Sequence, residues 1–171
     1  MSSLFTVRRP RESDVGEMAR LHVRAWQETY RGTVLDEVLD DPGFVLQRER
    51  MWTALVTEPR YTSVTVAVAE HDGALIGLAS AGPVSAGRTQ AGQSMPDLQL
   101  YTLYVLAEAH GSGAGAALLE AVLDGAAARL WVADPNPRAQ AFYRKHGFEF
   151  DGAVQVDDGV RELEMVRPAR G

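Results

Sequence analysis

One passage restricts the fold of this chain more than any other. Residues 98–106 read as a β-strand, which runs through His110-Gly111-Ser112-Gly113-Ala114-Gly115 into an alanine- and leucine-rich helix ending near Gly125. Residues 129–133 read as the next strand, and a strand–helix–strand unit of this length implies a parallel central pair. Glycines at 111, 113 and 115 remove side chains, so backbone N–H groups can approach a phosphate closely. The unpaired N–H groups of a first helical turn, with the positive end of the helix dipole, favour a dianionic pyrophosphate. No Gly-Lys-Ser/Thr follows, which disfavours a nucleotide-triphosphate loop, and the strict dinucleotide glycine spacing is missing. The same glycines would equally suit a small-residue turn that packs a helix close to a sheet. Taken alone, the passage leaves both readings open.

The rest of the chain supplies the remaining elements. Residues 5–8 read as a short first strand. Ser13 or Asp14 is positioned to cap a helix with apolar positions Val15, Met18, Leu21, Ala25 and Thr29, widened by Ala19, Val23, Trp26 and Tyr30. Gly32 ends it, and helical pieces follow around 34–39 and 44–56. Residues 62–70 and 74–84 form a hairpin across His71-Asp72-Gly73, and the Gly-, Ser- and Gln-rich stretch 85–96 reads as a mobile loop. In the fourth strand Leu98 and Leu100 share one parity while Leu103 and Val105 share the other. Either both faces are buried, or a β-bulge near Tyr101-Thr102 shifts the register. Residues 136–146 read as a helix capped by Asn136, with Pro137 at its first position and Gly147 past its end. A last hairpin pairs 150–156 with 160–166. No repeat or dividing linker is visible, so residues 1–171 are expected to form a single domain.

Composition excludes several function classes. The chain has 171 residues, 46% hydrophobic and 23% charged, ordinary for a globular protein. No apolar run approaches bilayer length, and MSSLFTVRRP lacks the apolar core of a secretory signal, so a cytoplasmic address without membrane contact is expected. The absence of cysteine excludes disulfides, thiolate metal sites and a cysteine nucleophile. The four histidines show no ligand spacing, so no metal is expected. With 17 basic and 23 acidic residues the formal charge is -6, which gives no footprint for nucleic acid. That acidity suits solubility first, and steering of a cationic amine second.

A second passage narrows the reading. Leu130-Trp131-Val132, then Asn136-Pro137-Arg138-Ala139-Gln140-Ala141-Phe142-Tyr143-Arg144-Lys145-His146-Gly147-Phe148, resembles the second diagnostic motif of the GNAT acetyltransferases. Leu103-Tyr104-Val105 with the glycine-rich loop resembles the first. Val7-Arg8-Arg9-Pro10 and the helix carrying Trp26 and Tyr30-Arg31-Gly32 are also similar to many members, so the resemblance spans essentially the whole chain. It implies an α/β (α+β) fold: a mixed, mostly antiparallel sheet of about seven strands with a parallel central pair, flanked by helices.

The resemblance also implies an acetyl-CoA-dependent N-acetyltransferase. Backbone groups around Leu103, Tyr104 and Val105 would pair with the pantetheine arm as an added strand. His110, Gly111, Ser112, Gly113, Ala114, Gly115 and Ala116 would hold the pyrophosphate. Asn136 would sit near the pantetheine, and Tyr143 beside the sulfur as general acid. Trp26 and Tyr30 would line the acceptor pocket, although both also suit packing against a sheet, as Tyr143 suits a core. Acyl transfer needs a neutral amine, a polarised carbonyl and a leaving group. A thiol with a pKa of about 8.5 leaves readily, and a tyrosine with a pKa of about 10 can protonate it. An N–H of Val105 would stabilise the oxyanion, and the amine would attack directly in a ternary complex.

Two positions depart from the family pattern. His110 stands where Arg or Gln is usual, and Gln99 where many members carry a glutamate that relays the amine's proton. An amide cannot act as a base, so Glu28, Asp97 or a water chain would have to serve. The expected acceptor is a small-molecule or peptide amine, and a homodimer sharing the final hairpin is a further expectation. Two other readings stay open: a non-catalytic acyl-CoA-binding sensor or interaction module, and a protein acetyltransferase.

Overall fold

The computed structural model describes residues 4–84 and 95–171. The expected mobile loop over 85–96 therefore falls mostly outside the described residues. The strands are β1 Thr6–Arg8, β2 Thr65–His71, β3 Ala74–Pro83, β4 Leu98–Val105, β5 Ala128–Ala133, β6 Glu149–Asp157 and β7 Val160–Arg167. The helices are α1 Val15–Tyr30, α2 Asp36–Leu39, α3 Pro42–Thr57, α4 Ala114–Leu123 and α5 Pro137–Lys145. All seven strands join one sheet in the order β1-β2-β3-β4-β5-β7-β6. β4 and β5 are parallel, with Gln99 opposite Arg129. β1–β2, β5–β7 and β6–β7 are antiparallel. This is the mixed, mostly antiparallel sheet with a parallel central pair expected above.

The chain divides into two compact units, Met1–Ser80 with Thr102–Val122, and Ala81–Tyr101 with Leu123–Gly171. In the first unit α1 turns Met18, Ala19, Leu21 and Val15 into a core with Trp52 of α3, Val66 and Val68 of β2, and Leu75 and Leu78 of β3. The apolar period of α1 is the cause, because residues three and four apart share one face. Neither Ser13 nor Asp14 caps α1 through its side chain. A short 3₁₀ turn, Glu12–Asp14, precedes the helix. Asp14 instead accepts from Arg8 (2.7 and 3.0 Å) and from the Arg11 N–H (2.6 Å), while Arg8 also binds Glu70 on β2. Paired bonds from a guanidinium, with both partners ionised, outcompete a cap on an uncharged N–H at this position. Asp41 does cap α3, accepting from Gly43 N–H, with Pro42 at the first helical position.

In the second unit β7 lies between β5 and β6. Leu130, Val132, Phe148 and Met165 are buried there, and Arg167 stacks over the Phe148 ring at 5.2 Å. Exposure along β4 shows partial burial at both parities. The ladder of β6 against β7 is irregular, its register shifting between Phe150 and Val154. Gly152 at φ +93 lies in that bulge, a conformation L-residues rarely adopt. Among the described residues no helix is long and apolar enough to cross a membrane.

Candidate active site

In the first unit, the C-terminal end of β4 is built against glycine. A Cβ at Gly77 would stand 2.9 Å from the Tyr104 carbonyl oxygen and 2.9 Å from Leu118 Cδ1, so β3, β4 and α4 approach closely only because position 77 has no side chain. The Leu106 N–H donates to the Ile76 carbonyl at 2.9 Å, and the chain then makes a 3₁₀ turn at Ala107–Ala109. Glu28 of α1 pins that turn by accepting from the Ala107 N–H at 2.9 Å, and Arg24 reaches Glu108 at 3.1 Å.

The glycine-rich loop follows. Gly111 and Gly113 have φ of +81 and +90, the left-handed region that favours glycine, and a Cβ at either would meet nothing within 4 Å. Open ground therefore lies in front of the main chain at both positions. Some loop amides are engaged locally: His110 N–H with the Ala107 carbonyl (3.1 Å), Ser112 N–H with the Ala109 carbonyl (3.3 Å), and Ala114 N–H with Ser112 Oγ (3.2 Å). The helical ladder of α4 starts with Ala117 N–H to the Gly113 carbonyl at 3.1 Å. The N–H groups of Gly115 and Ala116, in the first turn, have no intrahelical acceptor by helix geometry. Together with Gly111 and Gly113 they are the amides that can face an anion. The His110 ring does not join them, since its Nε2 lies 2.9 Å from the Val105 carbonyl oxygen.

An aromatic group stands on α1 and α3 of the same unit. Trp26 Nε1–H donates to the Tyr104 hydroxyl at 2.8 Å, and its ring centroid lies 4.8 Å from Tyr30 and 5.4 Å from Phe44. The Arg48 guanidinium lies over Phe44 at 4.7 Å. His22, 2% exposed, sits 4.8 Å from the Tyr104 ring, and its Nδ1 accepts from Trp52 Nε1–H at 3.2 Å. Burial, with the charge of Arg48, pushes the His22 pKa down to about 3, so it is a neutral core residue. Of the acidic run after Gly32, Asp36 and Asp40 pair with Arg31.

In the second unit, Asn136 caps α5 by accepting from the Ala139 N–H at 3.2 Å. Tyr143 on α5 is 9% exposed, with ring contacts to Phe142 (5.4 Å) and Phe148 (5.8 Å). Arg129 and Glu164, 3% and 4% exposed, form an ion pair at 2.6 Å. Burial holds the Glu164 carboxyl above the usual range while Arg129 opposes that shift. A pocket of about 260 Å³ opens beside Gln99, lined by Leu100, Tyr101, Trp131, Gln155, Asp157 and Glu162.

Comparison with known proteins gives the family and the fold. The model of the Acetyltransferase (GNAT) family matches residues 16–148. The chain belongs to the GNAT family. Among relatives, an uncharacterized N-acetyltransferase of Mycobacterium tuberculosis is 39% identical over 103 residues, covering 57% of this chain and 58% of that protein. The chain thus spans less than two thirds of the mycobacterial relative it matches. The uncharacterized N-acetyltransferase YuaI of Bacillus subtilis is 28% identical over 152 residues, covering 85% and 81% of the two chains. Among solved structures, the PaiA N-acetyltransferase of Thermoplasma acidophilum in complex with coenzyme A superposes with a TM-score of 0.70 at 19% identity over 99% and 100% of the chains. YncA of Salmonella typhimurium with its cofactor acetyl-CoA gives 0.68 at 18% identity over 98% and 95%. At these identities the structures establish the fold.

Within this GNAT chain the first unit gathers Trp26, Tyr30, Leu103, Tyr104, Val105 and residues 110–116, while the second holds Gln99, Asn136 and Tyr143. Sequence reasoning missed the hydroxyl–indole bond between Tyr104 and Trp26, the clasp of Glu28 on Ala107, and the inward face of the last hairpin. Gln155 pairs across the sheet with Glu162, so both share a face, while Val154 and Val156 are exposed. The order polar–apolar–polar along Gln155-Val156-Asp157 held that signal, because strand neighbours alternate faces.

Proposed function

We propose that this GNAT chain transfers an acetyl group from acetyl-CoA to a primary amine, by direct attack in a ternary complex, and that residues 1–171 act as one domain, since the family match runs through both units. The observation that carries the reading is the pair of left-handed glycines, 111 and 113, with open ground before them at the start of α4. These residues fit a diphosphate. The loop has no Lys or Arg between 107 and 116, so attraction falls to main-chain N–H groups and the helix dipole. Bound acetyl-CoA supplies the activated acyl group.

The chain's own residues do the rest. Leu103, Tyr104 and Val105 offer strand backbone to the pantetheine arm, with the Val105 N–H directed at the developing oxyanion. The Val105 carbonyl already accepts from or faces His110 Nε2, and its second lone pair remains for a ligand amide. Asn136 keeps its carboxamide oxygen on the α5 cap, leaving the NH₂ for the pantetheine. Tyr143 donates a proton to the departing sulfur. Trp26 and Tyr30 line the acceptor side. Glu28 serves to hold the turn after β4, its carboxylate bonded to Ala107 N–H and Arg24.

A thiol-release assay over a panel of amines, with calorimetry of acetyl-CoA binding, tests the reading. Tyr143→Phe is expected to lower kcat by roughly 100-fold, the low end of the range for general acids, because a thiolate leaves easily. Unchanged turnover in that variant would remove the tyrosine from the chemistry. Gln99 at the relay position favours a second reading, a non-catalytic acyl-CoA sensor, which requires tight binding without thiol release from any amine.

A further inference from the structure

A primary alkylamine is mostly an ammonium ion at neutral pH, and an ammonium ion has no lone pair with which to attack. One cation on the wall formed by α1 and α3 bears on that problem. The Arg48 guanidinium lies 4.7 Å from the Phe44 ring and 5.8 Å from the Trp26 ring, held by aromatic faces. Its Nε is buried without a hydrogen-bond partner, and it forms no ion pair among the described residues. Its Nη1 contacts only a weak acceptor, Met51 Sδ, at 3.8 Å. Trp26 donates to the Tyr104 hydroxyl, so a single indole separates this cation from a β4 side chain.

The other charged groups of the surrounding elements are matched or solvated. On α1, Glu28 binds Arg24 and the Ala107 N–H, and Glu17 accepts from the Leu75 N–H. On α2, Asp36 and Asp40 pair with Arg31. The short turns before α1 and after α3 bring Asp14, paired with Arg8, and Arg60, paired with Glu58. Glu12, Arg20, Glu37, Asp41, Glu49 and Arg50 are exposed, where water and salt screen them. Residues 102–105 of β4 carry no charge. His22 registers the resulting environment, its ring 4.8 Å from that of Tyr104. Burial first, then the charge of Arg48, lowers its pKa to about 3. Desolvation and a nearby cation act on an ammonium ion in the same direction, and both favour the neutral base.

We infer that Arg48 excludes the protonated acceptor from this wall, so that the amine is held there in its neutral, nucleophilic form. The inference rests on the acetyltransferase reading, with Trp26 and Tyr30 on the acceptor side. The proton passes to bulk water before entry, and the lone pair it uncovers is the one that attacks the thioester. Shutting out a dead-end ammonium complex raises kcat and KM together and leaves kcat/KM nearly unchanged, a pattern that damage to the fold does not give.

Benzylamine is the probe, since its ring suits an aromatic wall and its only charge is on the nitrogen. At pH 7 with acetyl-CoA saturating, Arg48→Gln should lower kcat and KM each about tenfold, as the bound amine's pKa rises by about one unit. The acidic limb of the kcat profile should move up by the same amount, while that of kcat/KM stays in place. Arg48→Lys keeps the charge and should match the parent. Arg48→Met keeps the stem packed on the rings and serves if the glutamine variant folds poorly. Calorimetry of the CoA-saturated chain needs no turnover, and it decides alone if benzylamine is not acetylated. Benzylamine should bind the uncharged variant about tenfold more tightly than the parent, and benzyl alcohol should bind both equally. An unmoved kcat limb, a lysine variant that behaves like the glutamine one, or equal benzylamine heats (absent ones included) overturns the role of Arg48. So does a raised KM, which would mark Arg48 as an attractive contact for the acceptor. Failure of acetyl-CoA itself to bind a folded sample would instead remove the acetyltransferase reading.

Discussion

Replacing Gly77 with alanine tests the packing that positions the end of β4. The added methyl would lie 2.9 Å from the Tyr104 carbonyl oxygen, 2.9 Å from Leu118 Cδ1 and 3.2 Å from Val105 Cγ2. Optimal carbon–carbon contact is about 3.5–4.0 Å, so the methyl and Leu118 overlap by roughly 0.6–1.1 Å. Leu118 is fully buried and the other close neighbour is backbone, so neither relaxes freely. Overpacking of this kind costs about 1–3 kcal/mol. With an unfolding entropy of about 2.1 cal/mol/K per residue, a loss of about 2 kcal/mol lowers Tm by roughly 6 °C in a chain of this length. Gly16 in α1 provides the contrast, since a Cβ there meets only Arg20 Nη1, at 3.4 Å. Alanine at 16 gains helix propensity, up to about 1 kcal/mol, and should raise Tm by a few degrees. Differential scanning calorimetry of both variants reads the two signs. A Gly77→Ala protein as stable as the parent would refute the close approach of β3, β4 and α4, and with it the account of how β4 is held.

Two further outcomes are expected. Gly113→Ala forces an L-residue to φ near +90 and places a methyl in the open ground before the loop, so acetyl-CoA affinity by calorimetry should fall at least tenfold, with stability lowered by about 1 kcal/mol. Hydrogen bonding from Arg8, first among its causes, holds the Asp14 carboxyl below its ordinary value of 3.8, so its contribution is present above that pH and is lost as pH falls through the lowered folded-state value. Asp14→Asn should therefore cost about 1.5–3 kcal/mol in urea unfolding at pH 7, and the gap to the parent should narrow below about pH 4.

What the sequence made legible was what local chemistry decides. Glycines at 111 and 113 pointed to a left-handed backbone turn that L side chains rarely adopt, Asn136-Pro137 to a helix start, and Asp72-Gly73 to a hairpin. The features that escaped depend on contacts between distant segments. Asp14 looks like a helix cap until Arg8 and Glu70, 62 residues apart in the chain, meet around it. Arg129 and Glu164 pair only because β7 lies beside β5, and the Gln155–Glu162 contact needs the register of β6 on β7 after its bulge. Periodicity assigns a residue to a face; it does not say which strand will lie alongside.

The three tryptophans stand in three chemically different surroundings. Trp52 is sealed in the interior against neutral His22, Trp26 bonds to the Tyr104 hydroxyl among aromatic rings, and Trp131 lines the carboxylate pocket. Intrinsic fluorescence is therefore a ready-made, label-free reporter: single-tryptophan versions would watch folding, the α1 wall and the pocket separately.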